Sequence, residues 1–305
     1  MPFPFKKMHG LGNDFIMMKA TDLPTLEITA LQALAKRVCD RHFGVGADGL
    51  IVAAPPSDAS LFDLKFIYIN SDGSIAEMCG NGIRCFARYV IDEGLWQSNS
   101  FRAETLAGLI QPTLHEDGTV TVNMGVPIVE SSSVPFIPHN PYEAGKEASV
   151  INHDGDALSV WPVSMGNPHA ILFLEDAHNQ QLNPSVDGHW IEKHHQFPAK
   201  TNVEFVTRQN AQTYQVTVWE RGCGFTLACG TGACATAVAA ISSGRAKSAS
   251  PIEIQLPGGS LFIEWSGNYG TPVYMTGPAS YVCDGVFSSD FADALTPLDA
   301  EVSHA

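Results

Sequence analysis

The stretch NSDGSIAEMCGNGIRCFARYVIDEG, residues 70–94, places a cysteine directly before Gly-x-Gly and an apolar segment of helical periodicity. The run before it, residues 64–69, is rich in β-branched and aromatic residues, and apolar residues within 83–91 recur at the spacing of one helix face. Gly94 stands where a glycine commonly ends a helix. The stretch therefore predicts a strand, a loop and a helix, with Cys79 at the helix N-terminus.

A second copy of this unit lies near the C-terminus. In TVWERGCGFTLACGTGACATAVAAISSG, residues 217–244, Cys229 precedes the same Gly-x-Gly pattern, and the strand-like run 214–219 comes before it. Cys229 follows Cys79 by 150 residues, whereas solenoid repeats recur every ~20–50 residues. The sequence therefore predicts two duplicated domains. The small, Ala-rich face of the second helix predicts close packing inside a sheet that wraps around each central helix.

Composition narrows the class of protein. The chain has 305 residues, of which 45% are hydrophobic, so two cores can be filled. Seventeen basic and 32 acidic residues give a net charge of −15, which disfavours nucleic acid and anionic membranes as partners. The N-terminal sequence lacks the apolar region of a signal peptide, and no run approaches the roughly 18 apolar residues of a spanning helix. We expect a cytoplasmic protein with no membrane partner.

The cysteines are expected to be free thiols. There are seven, an odd number, and no export signal accompanies them. No C-x-x-C pair or repeated ligand spacing predicts a metal site, so no metal is expected. Cys39, Cys85, Cys234 and Cys283 are interpreted as core or bystander residues.

Other segments carry ordinary strand and loop signals. Strands are predicted within 118–125, 170–175 and 202–207, and a hairpin over 251–265. The Pro-, Ser- and Asn-rich segment 131–156 has no periodicity and is interpreted as a linker excursion or a surface insertion. The tail after about Asp290 is expected to be loosely ordered.

The repeated thiol has a chemical interpretation. A helix N-terminus lowers the pKa of a nearby thiol from its free value of about 8.5, and its N–H groups can bind a carboxylate. If the two domains face each other across a cleft, Cys79 and Cys229 lie on opposite faces of one substrate carbon. One thiolate can then remove the α-proton while the opposite thiol delivers another, so the sequence predicts racemisation or epimerisation with no cofactor.

Two other interpretations of the thiols are open at this point. A nucleophilic cysteine would require a histidine partner, and neither repeat contains a histidine. Both cysteines could also be buried residues of a repeated core, although their matched position before Gly-x-Gly disfavours this.

Six motifs together resemble the diaminopimelate epimerase family. They are MHGLGNDF at 8–15, GVGADGL at 44–50, NSDGSIAEMCGNGIRCFARYV at 70–90, MGNPHA at 165–170, TNVEF at 201–205 and ERGCGFTLACGTGACA at 220–235, with MTGPA at 275–279 similar to the family's ending. The resemblance implies conversion of LL-2,6-diaminopimelate to the meso form without pyridoxal phosphate, a step that supplies lysine and peptidoglycan precursors. It also implies an α+β fold of two mostly antiparallel sheets, each around a helix, with the active site in the cleft between the domains.

The resemblance assigns roles to individual positions. Cys79 and Cys229 match the acid/base pair. The residues that match substrate-binding positions are Asn13, Asn70, Gly80, Asn81, Asn167, Asn202, Glu220, Arg221, Gly230 and Thr231. Amides with one carboxylate and one guanidinium suit the distal amino-acid end of the substrate. His169 lies in a matching motif as well. Whether it contacts the substrate or supports the site is left open by the sequence.

The expected domains are residues 1–125 with 278–305, which carry Cys79, and residues 126–277, which carry Cys229. The expected partner is a small-molecule amino acid, and a homodimer is compatible with the sequence.

Three positions depart from the family pattern. Phe225 replaces the carboxylate usual four residues before the second cysteine, Gly49 stands where some relatives carry an amide, and Cys223 adds a third thiol near Cys229. A proline or histidine racemase of the same fold is the nearest alternative. A non-catalytic binding or thiol-redox protein built on the same duplication is the alternative from a different class.

Overall fold

The structure is a computed structural model, and it describes residues 3–138, 145–146, 148–151, 157–248, 250–288 and 290–291. The described residues divide into two compact units. Unit 1 comprises those within Met1–Val120 and Ala279–Ala305, and unit 2 those within Thr121–Pro278.

The secondary structure is dominated by strands. In chain order these are β1 (Pro4–Gly10), β2 (Asn13–Lys19), β3 (Gly49–Ala54), β4 (Leu64–Asn70), β5 (Ala103–Thr105), β6 (Gly108–Ile110), β7 (Pro112–Leu114), β8 (Thr119–Asn123), β9 (Ala148–Ile151), β10 (Ala157–Ser164), β11 (Pro168–Phe173), β12 (Asn202–Arg208), β13 (Thr213–Glu220), β14 (Gly224–Phe225), β15 (Ile252–Leu256), β16 (Gly259–Glu264), β17 (Tyr274–Pro278) and β18 (Ser280–Val286). The α-helices among the described residues are α1 (Ile28–Val38), α2 (Gly80–Asp92), α3 (Pro184–Glu192) and α4 (Gly230–Ser242), and a short 3-10 helix covers Ala20–Asp22.

Unit 1 is a mixed sheet with a helix on each face. Its strand order is β18-β1-β2-β3-β4-β5-β6, in which β2/β3 and β4/β5 are parallel and the other pairs antiparallel. Every residue of β3 is buried, as expected of a strand covered on both faces. Helix α1 packs on one face with Leu31 and Leu34. Helix α2 packs across β1 to β4 on the other, where the rings of Phe66 and Phe86 meet.

Unit 2 repeats this arrangement with a longer sheet. The order is β8-β17-β16-β15-β13-β12-β11-β10-β9, with β14 paired to β13. The pairs β11/β12 and β13/β15 are parallel, and β12/β13, β15/β16 and β10/β11 are among the antiparallel ones. Helix α4 packs against β10, β11, β12, β15, β16 and β17. Its alanines are buried on all sides, which lets the strands approach the helix axis closely.

These observations confirm the predicted α+β class and the wrapped central helices. The strands predicted before each thiol are β4 and β13, and the predicted hairpin is β15–β16, with Leu256 opposite Gly259. Gly94 and Gly244 follow α2 and α4 with φ of +68° and +74°, the left-handed conformation of a helix C-terminal glycine.

The segment 131–156 differs from its prediction where it is described. Val134 and Phe136 are buried in a core cluster of unit 2, with the ring centroid of Phe136 5.0 Å from that of Phe197. Strand β9 then pairs antiparallel with β10. Burial of apolar side chains therefore packs this part of the segment into unit 2. The Pro- and Ser-rich composition of the segment did not predict this packing. Residues 139–144, 147 and 152–156 lie outside the described residues, as does the tail from residue 292.

No helix in the described part of the chain is both long enough and apolar enough to cross a membrane.

Candidate active site

The two repeated cysteines are the N-caps of their helices. Cys79 precedes α2 and Cys229 precedes α4, each with an extended backbone (φ −138° and −118°). Each Sγ accepts a hydrogen bond of 3.4 Å from the backbone N–H three residues later, on Gly82 or Gly232. A thiol thus occupies the position where serine, threonine, asparagine or aspartate normally satisfies a free N–H. The prediction that both thiols lie at helix N-termini is confirmed.

In unit 1, Asn13 joins Cys79 to the first turn of α2. Its Oδ1 atom lies 3.5 Å from Cys79 Sγ and 3.3 Å from Asn81 Nδ2. Its own Nδ2 donates to Asp48 Oδ2 at 2.7 Å. Asn13 therefore contacts two other residues proposed from the sequence, Cys79 and Asn81. The backbone N–H groups of Gly80 and Asn81 belong to the first turn of α2, the end of a helix that can bind a carboxylate.

Two charged residues that the sequence reasoning missed hold this group. Arg84 is fully buried, and it donates to the Gly80 carbonyl and to Asn81 Oδ1, both at 3.0 Å. Asp48 accepts from Asn13 and also pairs with Arg41 at 2.9 Å. Spacings of three and four residues from Asn81 and Gly80 place Arg84 over the first turn of the helix, a signal present in the sequence.

Asn70 ends β4, directly before the loop that leads to Cys79. Its Nδ2 donates to Ser74 Oγ at 2.9 Å, so in this structure the amide closes the loop. Opposite it in the sheet is Gly49. A Cβ atom at Gly49 would lie 2.5 Å from Cε2 of Tyr68, so a side chain at this position would require the ring to move.

In unit 2, carboxylates surround Cys229. The thiol is buried, and its Sγ lies 3.4 Å from the Thr231 hydroxyl. Burial raises the pKa of Cys229 well above its ordinary value, and the negative charges of Glu220 and Glu204 raise it further. Burial also raises the pKa of Glu220, while a hydrogen bond from Thr226 acts in the opposite direction. The buried site therefore favours the neutral thiol at Cys229.

His169 and Glu204 form a fully buried pair next to this thiol. His169 Nδ1 lies 2.7 Å from Glu204 Oε1, and His169 Nε2 lies 3.0 Å from Asn167 Oδ1. A Cβ atom at Gly232 would lie 2.6 Å from Glu204 Oε1, so the carboxylate reaches the first turn of α4. His169 thus supports Asn167, a proposed binding residue. Glu204 was missed, although it lies two residues after Asn202 and hence on the same face of β12.

The Glu220-Arg221 turn is held by polar side chains from neighbouring elements. Asn202 Oδ1 accepts from the Arg221 backbone N–H at 2.9 Å, and its Nδ2 donates to the Pro168 carbonyl at 3.1 Å. Glu192, another missed residue, accepts from Gly222 N at 3.0 Å and from Trp219 Nε1 at 2.9 Å. The Arg221 guanidinium donates to the Ala199 carbonyl and is exposed.

Two of the three departures from the family pattern are also in this region. The Phe225 ring packs edge-on against Trp219, with centroids 5.0 Å apart, while the next residue, Thr226, contacts Glu220. Cys223 is exposed as a residue, but its sulfur is partly desolvated. This desolvation, followed by the charges of Glu220 and Glu192, raises the pKa of Cys223.

The arrangement suits proton transfer. Each thiol has a backbone N–H that stabilises its anionic form, and helix N-termini carry further N–H groups for a carboxylate. All seven cysteines are free, with Cys39, Cys85 and Cys234 buried and Cys283 exposed. Within the described residues, no three side chains of His, Cys, Asp or Glu converge as a metal site would require.

Solved structures with the same fold include proteins of different names. A hydroxyproline epimerase from Agrobacterium vitis, with bound trans-4-hydroxy-L-proline, matches with a TM-score of 0.64 and 15% identity, over 95% of this chain and 93% of that one. A PhzF-family phenazine biosynthesis protein from Bacillus anthracis matches with a TM-score of 0.64 and 13% identity, over 94% of this chain and 99% of that one. At such identities the likeness concerns the fold.

Sequence comparison is more specific. A diaminopimelate epimerase from Desulfitobacterium hafniense is 46% identical over 288 residues, 93% of this chain and 98% of the relative. One from Prochlorococcus marinus is 44% identical over 301 residues, 98% of this chain and 95% of the relative. The sequence model of the family described as Diaminopimelate epimerase matches residues 5–129 and 162–282. The chain belongs to the diaminopimelate epimerase family.

Proposed function

We propose that this protein is an isomerase that converts LL-2,6-diaminopimelate to meso-diaminopimelate by two-base proton transfer, with Cys79 and Cys229 as the two proton carriers. The observation that carries the proposal is the matched pair of thiol N-caps, each before a glycine-containing first turn, in a chain of this family. We further propose that the two thiols act on opposite faces of one α-carbon.

The proton inventory of the reaction is balanced. One cysteine, as thiolate, takes the α-proton and becomes a thiol, while the electron pair moves into the adjacent carboxylate. The other cysteine, as thiol, gives its proton to the opposite face of the carbon and becomes a thiolate. The two thiols have exchanged protonation states, so the enzyme that has completed one conversion is ready for the reverse one. The buried, neutral Cys229 fits the role of proton donor in the resting enzyme.

The developing negative charge on the substrate would be stabilised by helix N-termini. In the proposed complex, the backbone N–H groups of Gly80 and Asn81, and those of Gly230 and Thr231, bind the carboxylate next to the reacting carbon. Such preorganised donors stabilise charge in the transition state more effectively than water, because they need no reorientation. Resonance into the carboxylate then holds the electron pair, and this chemistry requires no cofactor.

The remaining binding residues are proposed to hold the distal amino-acid end of the substrate. Asn13, Asn70, Asn167 and Asn202 are amides able to donate and accept hydrogen bonds, whereas Glu220 suits an ammonium and Arg221 a carboxylate. Asn202 and Glu192 support this assignment because they hold the Glu220-Arg221 turn in place.

The domain assignment is part of the same proposal. Residues 1–125 with 278–305 would form the domain that carries Cys79, and residues 126–277 the domain that carries Cys229. The cytoplasmic location and the homodimer remain predictions.

Single cysteine replacements test the mechanism. Cys79→Ala or Cys229→Ala should abolish epimerisation of LL-diaminopimelate, because each face of the carbon needs its own proton carrier. Cys85→Ala and Cys234→Ala are matched controls, since these buried thiols lie further along the same two helices and should leave turnover close to that of the wild type.

Solvent deuterium identifies the substrate and the reaction class. Wild-type enzyme in D₂O should incorporate deuterium at the α-carbon of LL-diaminopimelate and not at that of proline or histidine. Faster turnover of proline or histidine would show that the proposed substrate is wrong. Absence of exchange with every amino acid would favour a non-catalytic or thiol-redox protein. Near-normal epimerisation by either single active-site variant would contradict the two-base mechanism.

A further inference from the structure

A continuous hydrogen-bond chain runs through unit 1 past Cys79. The buried guanidinium of Arg84 donates to Asn81 Oδ1, Asn81 Nδ2 donates to Asn13 Oδ1, and Asn13 Nδ2 donates to Asp48 Oδ2. The distances are 3.0, 3.3 and 2.7 Å in that order. Two side-chain amides thus lie between a cation and a carboxylate.

The two ends of the chain determine the direction of both amides. An arginine side chain has only donors, so the amide of Asn81 must turn its oxygen toward Arg84 and its nitrogen away. An ionised carboxylate has only acceptors, so the amide of Asn13 must turn its nitrogen toward Asp48. These two requirements agree at the centre, where the Asn81 nitrogen meets the Asn13 oxygen. A chain with the opposite direction would place like groups together at both ends.

We propose that Arg84 and Asp48 are positioning residues that fix this direction, so that Asn13 presents its carbonyl oxygen, and not its NH₂ group, to the thiol of Cys79. The Asn13 oxygen lies 3.5 Å from Cys79 Sγ, where it accepts the S–H hydrogen. The backbone N–H of Gly82 donates a hydrogen bond to the same sulfur at 3.4 Å, and this bond stabilises the thiolate. Each protonation state of Cys79 therefore has one matched partner.

The surroundings agree with a built network. Arg84 is fully buried and Asn81 is 4% exposed, so an unsatisfied donor or acceptor here would be costly. A Cβ atom at Gly10 would lie 3.0 Å from an Arg84 guanidinium nitrogen and 3.1 Å from Asn81 Cβ. Gly10 thus leaves the space that this pair occupies. Asp48 is held in turn by Arg41 and by the Asp14 backbone N–H.

The consequence for catalysis rests on the proposed function. A proton carrier must be stable both as thiol and as thiolate, and a reversed Asn13 amide would offer N–H to the sulfur and favour the thiolate alone. Other ionisable groups of unit 1 that interact with Cys79 include Tyr68 and Cys85. Burial raises the pKa of both above their ordinary values, that of Cys85 to about 12, so both are neutral at the pH of the experiment below.

The test measures the rate at which iodoacetamide alkylates Cys79 at neutral pH, followed by mass spectrometry of the Cys79 peptide, with Cys229 of the same sample as reference. In the double variant Arg84→Met with Asp48→Asn both fixed ends of the chain are lost, so the Asn13 amide can turn its NH₂ group to the sulfur. Alkylation of Cys79 should then be faster by about threefold to tenfold, the effect of one hydrogen bond on the thiolate. Asp14→Asn is the matched control, because Asp14 shares Arg41 with Asp48 but does not bond to Asn13.

The single variant Asp48→Asn separates direction from charge. It loses one negative charge, as Asp14→Asn does, but Arg84 still turns the Asn81 nitrogen toward the Asn13 oxygen. Cys79 should therefore be alkylated at similar rates in the two single variants, both below that of the double variant. Arg84→Lys keeps a donor-only cation and should react like the wild type, which provides a measurement even if the double variant does not fold.

A Cys79 rate in the folded double variant that does not exceed the rate in Asp48→Asn would overturn the proposal, because charge alone would then explain any change. Wild-type turnover of LL-diaminopimelate is measured in parallel. Its failure would contradict the proposed function, while the alkylation comparison would still decide the roles of Arg84 and Asp48.

Discussion

The Nδ1 atom of His169 lies 2.7 Å from Oε1 of Glu204, and both side chains are completely buried. The other carboxylate oxygen of Glu204, Oε2, has no hydrogen-bond partner within the described part of the chain. His169 Nε2 in turn contacts the Asn167 amide. This pair therefore connects a proposed substrate-binding amide to the first turn of α4 through one imidazole and one carboxylate.

Replacement of Glu204 by glutamine should weaken both the fold and the reaction. The side chain keeps its shape and an acceptor oxygen but loses the charge that strengthens the hydrogen bond with His169, so unfolding should cost about 1–3 kcal/mol less. Turnover should fall about tenfold as Asn167 loses its support. Urea unfolding and steady-state kinetics measure the two effects. Glu264→Gln, an exposed residue of β16, is the control and should change stability by less than about 0.5 kcal/mol. If the stability and turnover of Glu204→Gln were equal to those of the wild type, the pair of His169 and Glu204 would be dispensable.

Glu220→Gln should make Cys229 more reactive. The charge of Glu220 is, after burial, the next cause that raises the pKa of this thiol, so its removal lowers that pKa. Iodoacetamide should alkylate Cys229 several-fold faster near neutral pH, while the Cys79 rate in unit 1 serves as the reference. An unchanged Cys229 rate would mean that the charge of Glu220 does not control this thiol.

The same variant should change the pH dependence of stability. Because the folded pKa of Glu220 is raised, the folded state binds more protons than the unfolded state between the ordinary value of 4.5 and the folded pKa. Stability from this group is complete below the lower value and is lost as pH rises through that window. Glu220→Gln should therefore raise the melting temperature at neutral pH by about 1–3 °C, and have a smaller effect in acid. A melting temperature that is lower at neutral pH than that of the wild type would contradict the buried-charge argument.

Alanine at the third residue of each helix should have unequal effects. At Gly232 the new Cβ atom would lie 2.6 Å from Glu204 Oε1 and 3.3 Å from Cys229 Sγ. It should displace both, with a cost of about 1–3 kcal/mol in stability and a large loss of turnover. At Gly82 the nearest atoms are Ile51 Cδ1 at 3.1 Å and Cys79 Cβ at 3.4 Å, so a small side-chain shift suffices. Kinetics and thermal melting of Gly82→Ala and Gly232→Ala provide the comparison, and equal losses would refute the role given to Glu204.

Gly49→Ala should be destabilising because of Tyr68. The added Cβ atom would lie 2.5 Å from the ring and 2.8 Å from the Ile69 carbonyl, which predicts a loss of about 1–3 kcal/mol. A smaller residue at position 68 should relieve part of this loss. A double-mutant cycle with Tyr68→Val measures the coupling. Additive losses in the double variant would show that the ring is not the obstacle.

Features that depend on a local pattern and on its repetition were predictable from the sequence. These are the two thiol N-caps, the strands β4 and β13 before them and the glycines after the helices, which in each copy lie within one short stretch. The spacing of Arg84 from Gly80 and Asn81 is also present in the sequence. The burial of Arg84 was not predictable, because a charged residue within an apolar helical pattern is normally placed on the exposed face.

The pair of His169 and Glu204 also depends on strand pairing. The two residues lie on neighbouring parallel strands, in a register that places His169 opposite Asn202. Sequence spacing alone does not determine this register, because β11 and β12 are connected through α3 and its flanking loops. Likewise, the contact between Asn13 and Asp48 depends on the parallel pairing of β2 and β3.

At a thiol N-cap, the residue best suited to stabilise the helix differs from the residue best suited to transfer a proton. Serine or aspartate at position 79 or 229 would satisfy the first N–H groups of α2 or α4 better than a thiol does. Neither would exchange a carbon-bound proton as a thiol can. At each position, the replacement that would best stabilise the helix N-terminus is therefore one that would abolish proton transfer. A weaker helix cap at these two positions indicates that the cysteine is retained for its reactivity.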